Sequence, residues 1–274
     1  MMAQHNHTSA QRIAIVTGAA RGIGLEIASQ FIAQGCKVAM LDIDAATQND
    51  AVKSKGWGGQ ALALECDVSV PAQVQRSVDA VFAQFGRIDY LINNAGIAVF
   101  KPIGETTFEE WQRVMAVNLG GAFLCTQACV PFMLRKVHTD VDKGKGAIVN
   151  IASISGLRAS ALRVAYGTSK AALVHLTRQQ AIELGNAGIR ANAVAPGPVD
   201  TAMAKAVHSA DIRRDYHDTI PLNRYGTEAE IAQTVLFLCS DAASYINGQC
   251  LAADGGFDAS GIGLPSLRSA AQQS

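Results

Sequence analysis

The sequence predicts an α/β fold, a doubly wound, seven-stranded parallel sheet with helices on both faces in a single domain. Short apolar, β-rich runs alternate with longer helical stretches from the first strand onward, the sequence form of repeated βαβ units with right-handed crossovers. No linker divides residues 12–257 into two parts.

The elements follow in order. "RIAIVT" (12–17) is the first strand, followed by a helix over 22–34, the strand "KVAMLD" (37–42) and a helix over 44–55. "ALALECD" (61–67), a helix over 71–85 and "IDYLINN" (88–94) continue the alternation. A long helical region spans 107–136, and "GAIVNIAS" (146–153), a helix over 164–186, "IRANAVAP" (189–196), a helix over 228–240 and "QCLAADGG" (249–256) close the sheet. Two segments break the rhythm. "RKVHTDVDKGKG" (135–146) is polar and Gly/Lys-rich, the composition of a surface loop. Residues 198–226 form a long insertion after a strand end, where lids over active sites are found. Residues 1–11 and 258–274 read as flexible tails, the latter with the alternative of lying across a neighbouring subunit.

Hydrophobic residues make up 49% of the chain and charged residues 17%, with 23 bases against 23 acids. That balance excludes the basic surface of a nucleic-acid or anionic-membrane binder and suits an enzyme acting on small molecules. The N-terminal "MMAQHNHTSAQR" has no apolar signal region, and no run of bilayer-spanning length is expected, so the chain is read as cytoplasmic. The cysteines at 36, 66, 125, 129, 239 and 250 show neither Cys-x-x-Cys spacing nor neighbouring histidines, so they are read as free thiols, with no metal site. The histidines at 138, 175, 208 and 217 are scattered, and His175 reads as a surface or interface residue.

The first strand runs into "TGAARGIG" (17–24) and then a helix. Gly18, Gly22 and Gly24 permit a tight turn and close approach of the backbone to a pyrophosphate at the positive end of that helix. Asp42 ends the second strand, the place from which a carboxylate accepts ribose hydroxyl bonds in a Rossmann-type fold. A 2′-phosphate there would meet a like charge at a cost of a few kcal/mol for an effective dielectric of about 20. NAD is therefore expected over NADP, with Arg21 in the glycine loop the one cation in position to offset this. The competing role for Asp42 is a helix cap or turn carboxylate.

"VAYGTSKAALVHLTRQQ" (164–180) places Tyr166 and Lys170 one turn apart on one side of a helix. By itself such a pair reads as a snorkelling phenol and a solvated ammonium. Together with the glycine loop, "NNAG" (93–96), Ser153 thirteen residues before Tyr166, "PGPVDT" (196–201) and "DGG" (254–256), it closely resembles the short-chain dehydrogenase/reductase family over 12–257. The resemblance implies an oxidoreductase in which Tyr166 is the general acid/base, Ser153 positions the substrate oxygen, and Lys170 holds the nicotinamide ribose and lowers the tyrosine pKa. Asn118 is implied to anchor a water relay to the lysine; its plain reading is a weak point in a helix. Asn94, Ala95 and Gly96 are implied to flank the adenosine ribose, with a strand-terminating turn as the alternative. Asp67 is implied to contact adenine, with a helix-cap region as its competing role. Pro196, Gly197 and Thr201 are implied to lie at nicotinamide and its carboxamide, against the plain reading of a loop start, and Ile23, Val68 and Val199 complete the implied cofactor contacts.

Three functions are weighed on these residues. The favoured one is an NAD(H)-dependent enzyme interconverting a secondary alcohol and a ketone. The others are an NADPH-dependent 3-oxoacyl-carrier-protein-type ketoreductase and a non-catalytic dinucleotide-binding protein. Ser155, Gly156, Ala161, Leu162, Pro198, Met203, Val207 and Tyr216 are expected to line a pocket for a neutral, fairly hydrophobic alcohol or ketone, unless Arg158, Arg163, Arg213 or Arg214 faces the cleft. A homotetramer, or a dimer, is expected from the resemblance, with the apolar stretch 114–134, including Phe123, Leu124, Val130 and Phe132, either pairing between subunits or packing within one.

Overall fold

The computed structural model describes residues 11–135 and 146–261. Residues 136–145 of the polar loop, His138 among them, and most of both tails therefore lie outside the described residues. Seven strands are present: β1 (Ile13–Thr17), β2 (Lys37–Asp42), β3 (Ala61–Glu65), β4 (Tyr90–Asn93), β5 (Gly146–Ile151), β6 (Ile189–Pro196) and β7 (Cys250–Ala253). They form one parallel sheet in the order β3-β2-β1-β4-β5-β6-β7. The helices between them are α1 (Gly22–Ala33), α2 (Ala45–Ser54), α3 (Pro71–Phe85), α4 (Phe108–Met115), α5 (Gly121–Met133), α6 (Val164–Leu184), α7 (Ala202–Val207), α8 (Ala210–Thr219) and α9 (Glu228–Cys239).

The expected fold class stands, and its cause is burial on two faces. All five residues of β1 are buried. Alternate side chains enter opposite cores: Val16, Met40 and Val149 pack with Phe31 and Ile231 on one face, while Ile15, Leu41, Leu91 and Ile148 pack with Val78 and Cys125 on the other. The strand order reverses between β1 and β4, so the chain leaves their carboxyl ends in opposite directions and opens a crevice there.

The long helical region is not one regular helix. Residues Ala116–Gly120 form a π turn between α4 and α5, a device that often marks a functional site. The composite helix Phe108–Met133 is long and apolar enough to cross a membrane by length and composition alone, which corrects the expectation that no run reaches that length. Within this fold its small face, including Gly121, Ala122, Cys125 and Cys129, is buried. A methyl on Gly121 would stand 2.6 Å from Val68 Cγ2, so glycine there is what lets the helix sit down on the loop after β3. The 198–226 insertion contains α7 and α8, capped by Thr201 and Ser209.

A buried polar network joins the two central strands to the helices above them. Asn93 donates to Asn150 Oδ1 at 2.8 Å, and Asn150 donates to Thr177 Oγ1 at 2.8 Å and Gln180 Oε1 at 2.7 Å. Gln180 in turn donates to Thr126 Oγ1 at 2.8 Å. Asn150→Ala strands several of these buried partners at once, and an unmet buried polar group costs about 1–3 kcal/mol. Urea denaturation is expected to show a loss of at least that size; a change below about 0.5 kcal/mol would remove the network from the account of stability.

Candidate active site

The glycine loop leads from β1 into the crevice. Gly18 and Gly22 take positive φ values of 64° and 60°, conformations that L side chains resist. At Gly24 the reason is space, because a methyl would collide with the Gly18 carbonyl oxygen and lie 2.5 Å from Asn94 Nδ2. No side chain caps the first turn of α1, which leaves its N–H groups to an anion. Asn94 locks the loop, donating from Nδ2 to the carbonyls of Thr17 at 2.9 Å and Gly18 at 3.0 Å. Thr17 Oγ1 accepts from the N–H groups of Asn94 and Ala95, both at 3.0 Å. The side chain of Asn94 thus works as a loop clamp, beyond the backbone platform expected from the sequence.

Asp42 stands at the rim, its carboxylate oriented by the N–H groups of Ala20 at 2.9 Å and Asp44 at 3.0 Å. Each oxygen keeps capacity for a further donor. Arg21 is paired with Asp44, and Ile43 is exposed beside it. Asp67 Oδ1 accepts from the N–H of Ser69 at 2.9 Å and its hydroxyl at 2.6 Å, so its turn role is real while the residue also borders the cleft. Gly18, Arg21, Gly22, Ile23, Gly24, Asp42, Asp67, Val68, Asn94, Ala95, Gly96, Pro196, Gly197, Val199 and Thr201 all line one cleft of about 590 Å³, together with Ser153, Tyr166 and Lys170. A cradle shaped by glycines, a free helix start and a rim carboxylate fit a dinucleotide.

At the other end, β5 delivers Ser153 two residues past its end at Ile151, and α6 delivers Tyr166 and Lys170. Lys170 is buried, and its ammonium donates to the Ile151 carbonyl at 2.6 Å. Burial pulls its pKa down to about 8. Two glycines that the sequence reading did not single out for packing make the approach of loop and helix possible. A methyl on Gly156 would lie 2.7 Å from the Lys170 carbonyl carbon, and one on Gly167 would lie 3.0 Å from the Ser155 carbonyl oxygen. Their signal was the string of small residues on either side of the motif.

The phenol departs from expectation. Burial raises the Tyr166 pKa, and the opposing pulls come from the Ser153 hydroxyl and the Arg163 guanidinium rather than from Lys170. The reason is direction and desolvation: the Lys170 ammonium is turned to a backbone carbonyl and has itself a weakened hold on its proton. Lys170 Nζ lies 5.8 Å from the tyrosine ring centre.

Asn118 occupies the π turn and is buried. It accepts from the Ile97 N–H at 2.8 Å and donates to the Ile97 carbonyl at 2.9 Å and Ser169 Oγ at 2.9 Å. A methyl on Gly96 would stand 3.3 Å from both Asn118 Oδ1 and Lys170 Nζ, so asparagine and lysine meet across that glycine. Gly197 packs on Asp254, where a methyl would lie 2.7 Å from Cα; this explains why "PGP" and "DGG" belong together. Thr201 caps α7, accepting from the Ala204 N–H at 3.1 Å. Thr201 is thus a helix cap that also borders the cleft.

Residues 18–258 match the family model described as enoyl-(acyl carrier protein) reductase. The chain is 39% identical over 254 residues to 2-(R)-hydroxypropyl-CoM dehydrogenase of Xanthobacter autotrophicus, covering 90% of this chain and 99% of that protein. It is 38% identical over 247 residues to D-threitol dehydrogenase of Mycolicibacterium smegmatis, covering 90% and 92%. Among solved structures, 3-ketoacyl-(acyl-carrier-protein) reductase from Brucella melitensis complexed with NADH superposes with a TM-score of 0.83 at 32% identity, covering 91% of this chain and all of that one. The family match and these relatives define an oxidoreductase of the alcohol–ketone class. The chain belongs to the short-chain dehydrogenase/reductase family.

Two outcomes follow from the packing at Lys170. Gly156→Ala forces the Ser153 loop off α6, with an expected loss of about 1–3 kcal/mol in thermal or urea unfolding, as for other overpacked sites. Lys170→Met isolates the buried ammonium. Its folded pKa lies below the ordinary value, so the unfolded chain binds more protons between about pH 8 and 10.5, and this group adds stability as pH rises through that window. The Met variant lacks that gain, so the stability of wild type relative to the variant is expected to improve by roughly 3 kcal/mol from pH 7 to 11; a difference independent of pH contradicts a buried, depressed lysine.

Proposed function

We propose that the protein is an NAD(H)-dependent oxidoreductase that interconverts a secondary alcohol and a ketone, with Tyr166 as general acid/base. The observation that carries this reading is the convergence of Ser153, Tyr166 and Lys170 in one cleft with the glycine loop and Asp42. A bound nicotinamide dinucleotide supplies hydride exchange at the substrate carbon.

The chain's own residues handle position and proton. The α1 start and glycine loop hold the pyrophosphate, and Asp42 and Asp67 flank the adenosine end. Asn94, Ala95 and Gly96, with Val68 and Ile23, wall the cleft between, while Pro196, Gly197, Val199 and Thr201 border the nicotinamide end. Ser153 hydrogen-bonds the substrate oxygen and holds it against the phenol. Tyr166 donates its proton to that oxygen in reduction and accepts it in oxidation. Burial that keeps the phenol protonated favours the donating role, and hydrogen bonding by Ser153 with the charge of Arg163 draws the phenolate back towards the working range. Lys170 holds the ribose near its ammonium, and Asn118 fixes the Gly96–Ile97 backbone beside it. Asp42 supports NAD over NADP, since Arg21 is already engaged by Asp44. Assembly as a homotetramer accords with the exposed Phe123 on α5 and Ile182 on α6. Light scattering tests that, and a monomer would rule it out.

Tyr166→Phe is expected to lower kcat by about 10²–10⁴-fold, the usual contribution of general acid–base catalysis, while NADH binding followed by fluorescence changes little; a variant keeping most of its rate removes Tyr166 from the chemistry. Asp42 makes the second test. Wild type is expected to give higher kcat/KM with NADH than with NADPH, and Asp42→Ala to shrink the ratio at least tenfold, about the effect of 1.4 kcal/mol. A clear NADPH preference in the wild type favours the carrier-protein ketoreductase alternative.

A further inference from the structure

Past Ser153 and Tyr166 the cleft opens into a second chamber of about 530 Å³, with Phe100, Ile154, Arg163, Val207, His208 and Tyr216 common to both. The two ends differ in charge. The acids bordering the main cleft, Asp42, Asp44 and Asp67, come from the carboxyl ends of β2 and β3 and the turns that follow them. Among the described residues the second chamber has no acid in its lining but two arginines, Arg158 and Arg163.

These two arginines are not equivalent. Arg158 is committed, donating from Nη1 to the Phe257 carbonyl at 2.7 Å and to Ser260 Oγ at 3.1 Å. In the 198–226 insertion, Arg213 is paired with Asp200 at 2.6 Å and Arg214 with Asp211 at 2.9 Å. Among the described residues no carboxylate pairs with Arg163; its guanidinium lies over the Phe100 ring, 5.0 Å from the centroid. It is half-buried, so it loses part of its hydration with no counter-charge in return.

The backbone delivers it there under strain. Leu162 has a φ of 60°, a left-handed conformation that a bulky residue adopts only where its surroundings impose it. The Lys101 N–H holds the Leu162 carbonyl at 3.0 Å, and Lys101 bridges to Arg163 itself. Arg163 stands one helical turn before Tyr166, and its charge is felt at that phenol and at His208.

We propose that the substrate carries an anionic oxyacid group, a carboxylate, sulfonate or phosphate, which Arg163 binds in the second chamber while the reacting oxygen lies at Ser153 and Tyr166. The proposal rests on the alcohol–ketone reading and deepens it. A guanidinium takes such groups through two parallel hydrogen bonds, and Phe100 keeps its plane in place. The expectation of a neutral substrate is thereby replaced: Ala161, Leu162 and Val207 still line the chamber with apolar surface, but its charge calls for an anion.

The test uses the full chain with NADH and a series of methyl ketones bearing a terminal carboxylate after one to four methylenes, each beside its methyl ester. Wild type is expected to prefer the best-fitting anion over its ester at least tenfold in kcat/KM. In Arg163→Gln the anion-to-ester ratio is expected to fall about 10- to 100-fold, the size of a charged hydrogen-bonded pair, chiefly through KM, and Arg163→Lys to recover part of it. A wild-type preference for esters, or a ratio unchanged in Arg163→Gln, overturns the proposal; the latter would come with an equal shift of the pH profile for both substrates, since Arg163 would then act only on Tyr166. Calorimetric binding of the same acids to the enzyme–NAD complex separates the two readings. Binding that disappears in Arg163→Gln supports the anion site even if no ketone is turned over, an outcome that would break the alcohol–ketone reading alone; equal binding in both proteins overturns the anion site.

Discussion

The bond from the Lys170 ammonium to the Ile151 carbonyl organises the end of the cleft that holds Ser153 and Tyr166. A parallel strand leaves its last carbonyls without a ladder partner, and here a buried cation satisfies one of them at 2.6 Å. That bond ties α6 to β5. It thereby sets Tyr166, a turn earlier on the helix, against Ser153, two residues beyond the strand. The contact tolerates no bulk, so Gly156 and Gly167 lie where loop and helix touch and Gly96 lies where Lys170 meets Asn118. Burying an ammonium is unfavourable, as its depressed pKa records, so stability alone does not account for a lysine here.

Two electrostatic regimes share one cleft. At the β1–β2 end, Asp42 is oriented by two backbone N–H groups and faces a helix start that offers free N–H groups. At the far end the described lining holds two arginines and no acid. Tyr166 sits between these regimes, where desolvation holds its proton and the nearby hydroxyl and guanidinium loosen it. Proton transfer at such a phenol depends on small differences between opposing terms, each of which the fold places with a different segment: β5 supplies Ser153, the turn at Leu162 supplies Arg163, and α6 supplies the phenol.

The fold was legible because its signals are local. Runs such as "VAML" and "AIV" are apolar throughout because both faces of each strand are buried there, and the glycine loop follows its strand immediately. The candidate site was legible as a set of residue types at spacings, and the cleft brings those residues together, with Asn118 outside its lining and buried behind Gly96. The polar network of Asn93, Asn150, Thr126, Thr177 and Gln180 was not legible, since its members come from four elements and none has a distinctive neighbour in sequence. The π turn at Asn118 escaped for a related reason: two glycines after an asparagine signal only a weakened helix, and the Val68 contact at Gly121 decides what that weakness becomes.

By itself the sequence determined the element order, the glycine-rich turn, the rim carboxylate and the Tyr166–Lys170 spacing, because each depends on residues within a few positions of one another. Only the tertiary structure decided the direction of forces between them. It turned the Lys170 ammonium to a carbonyl rather than to the phenol and brought Arg163 to the cleft while pairing Arg213 and Arg214 elsewhere. Charge is a property of a residue, but desolvation and the choice of partner are properties of the packed chain.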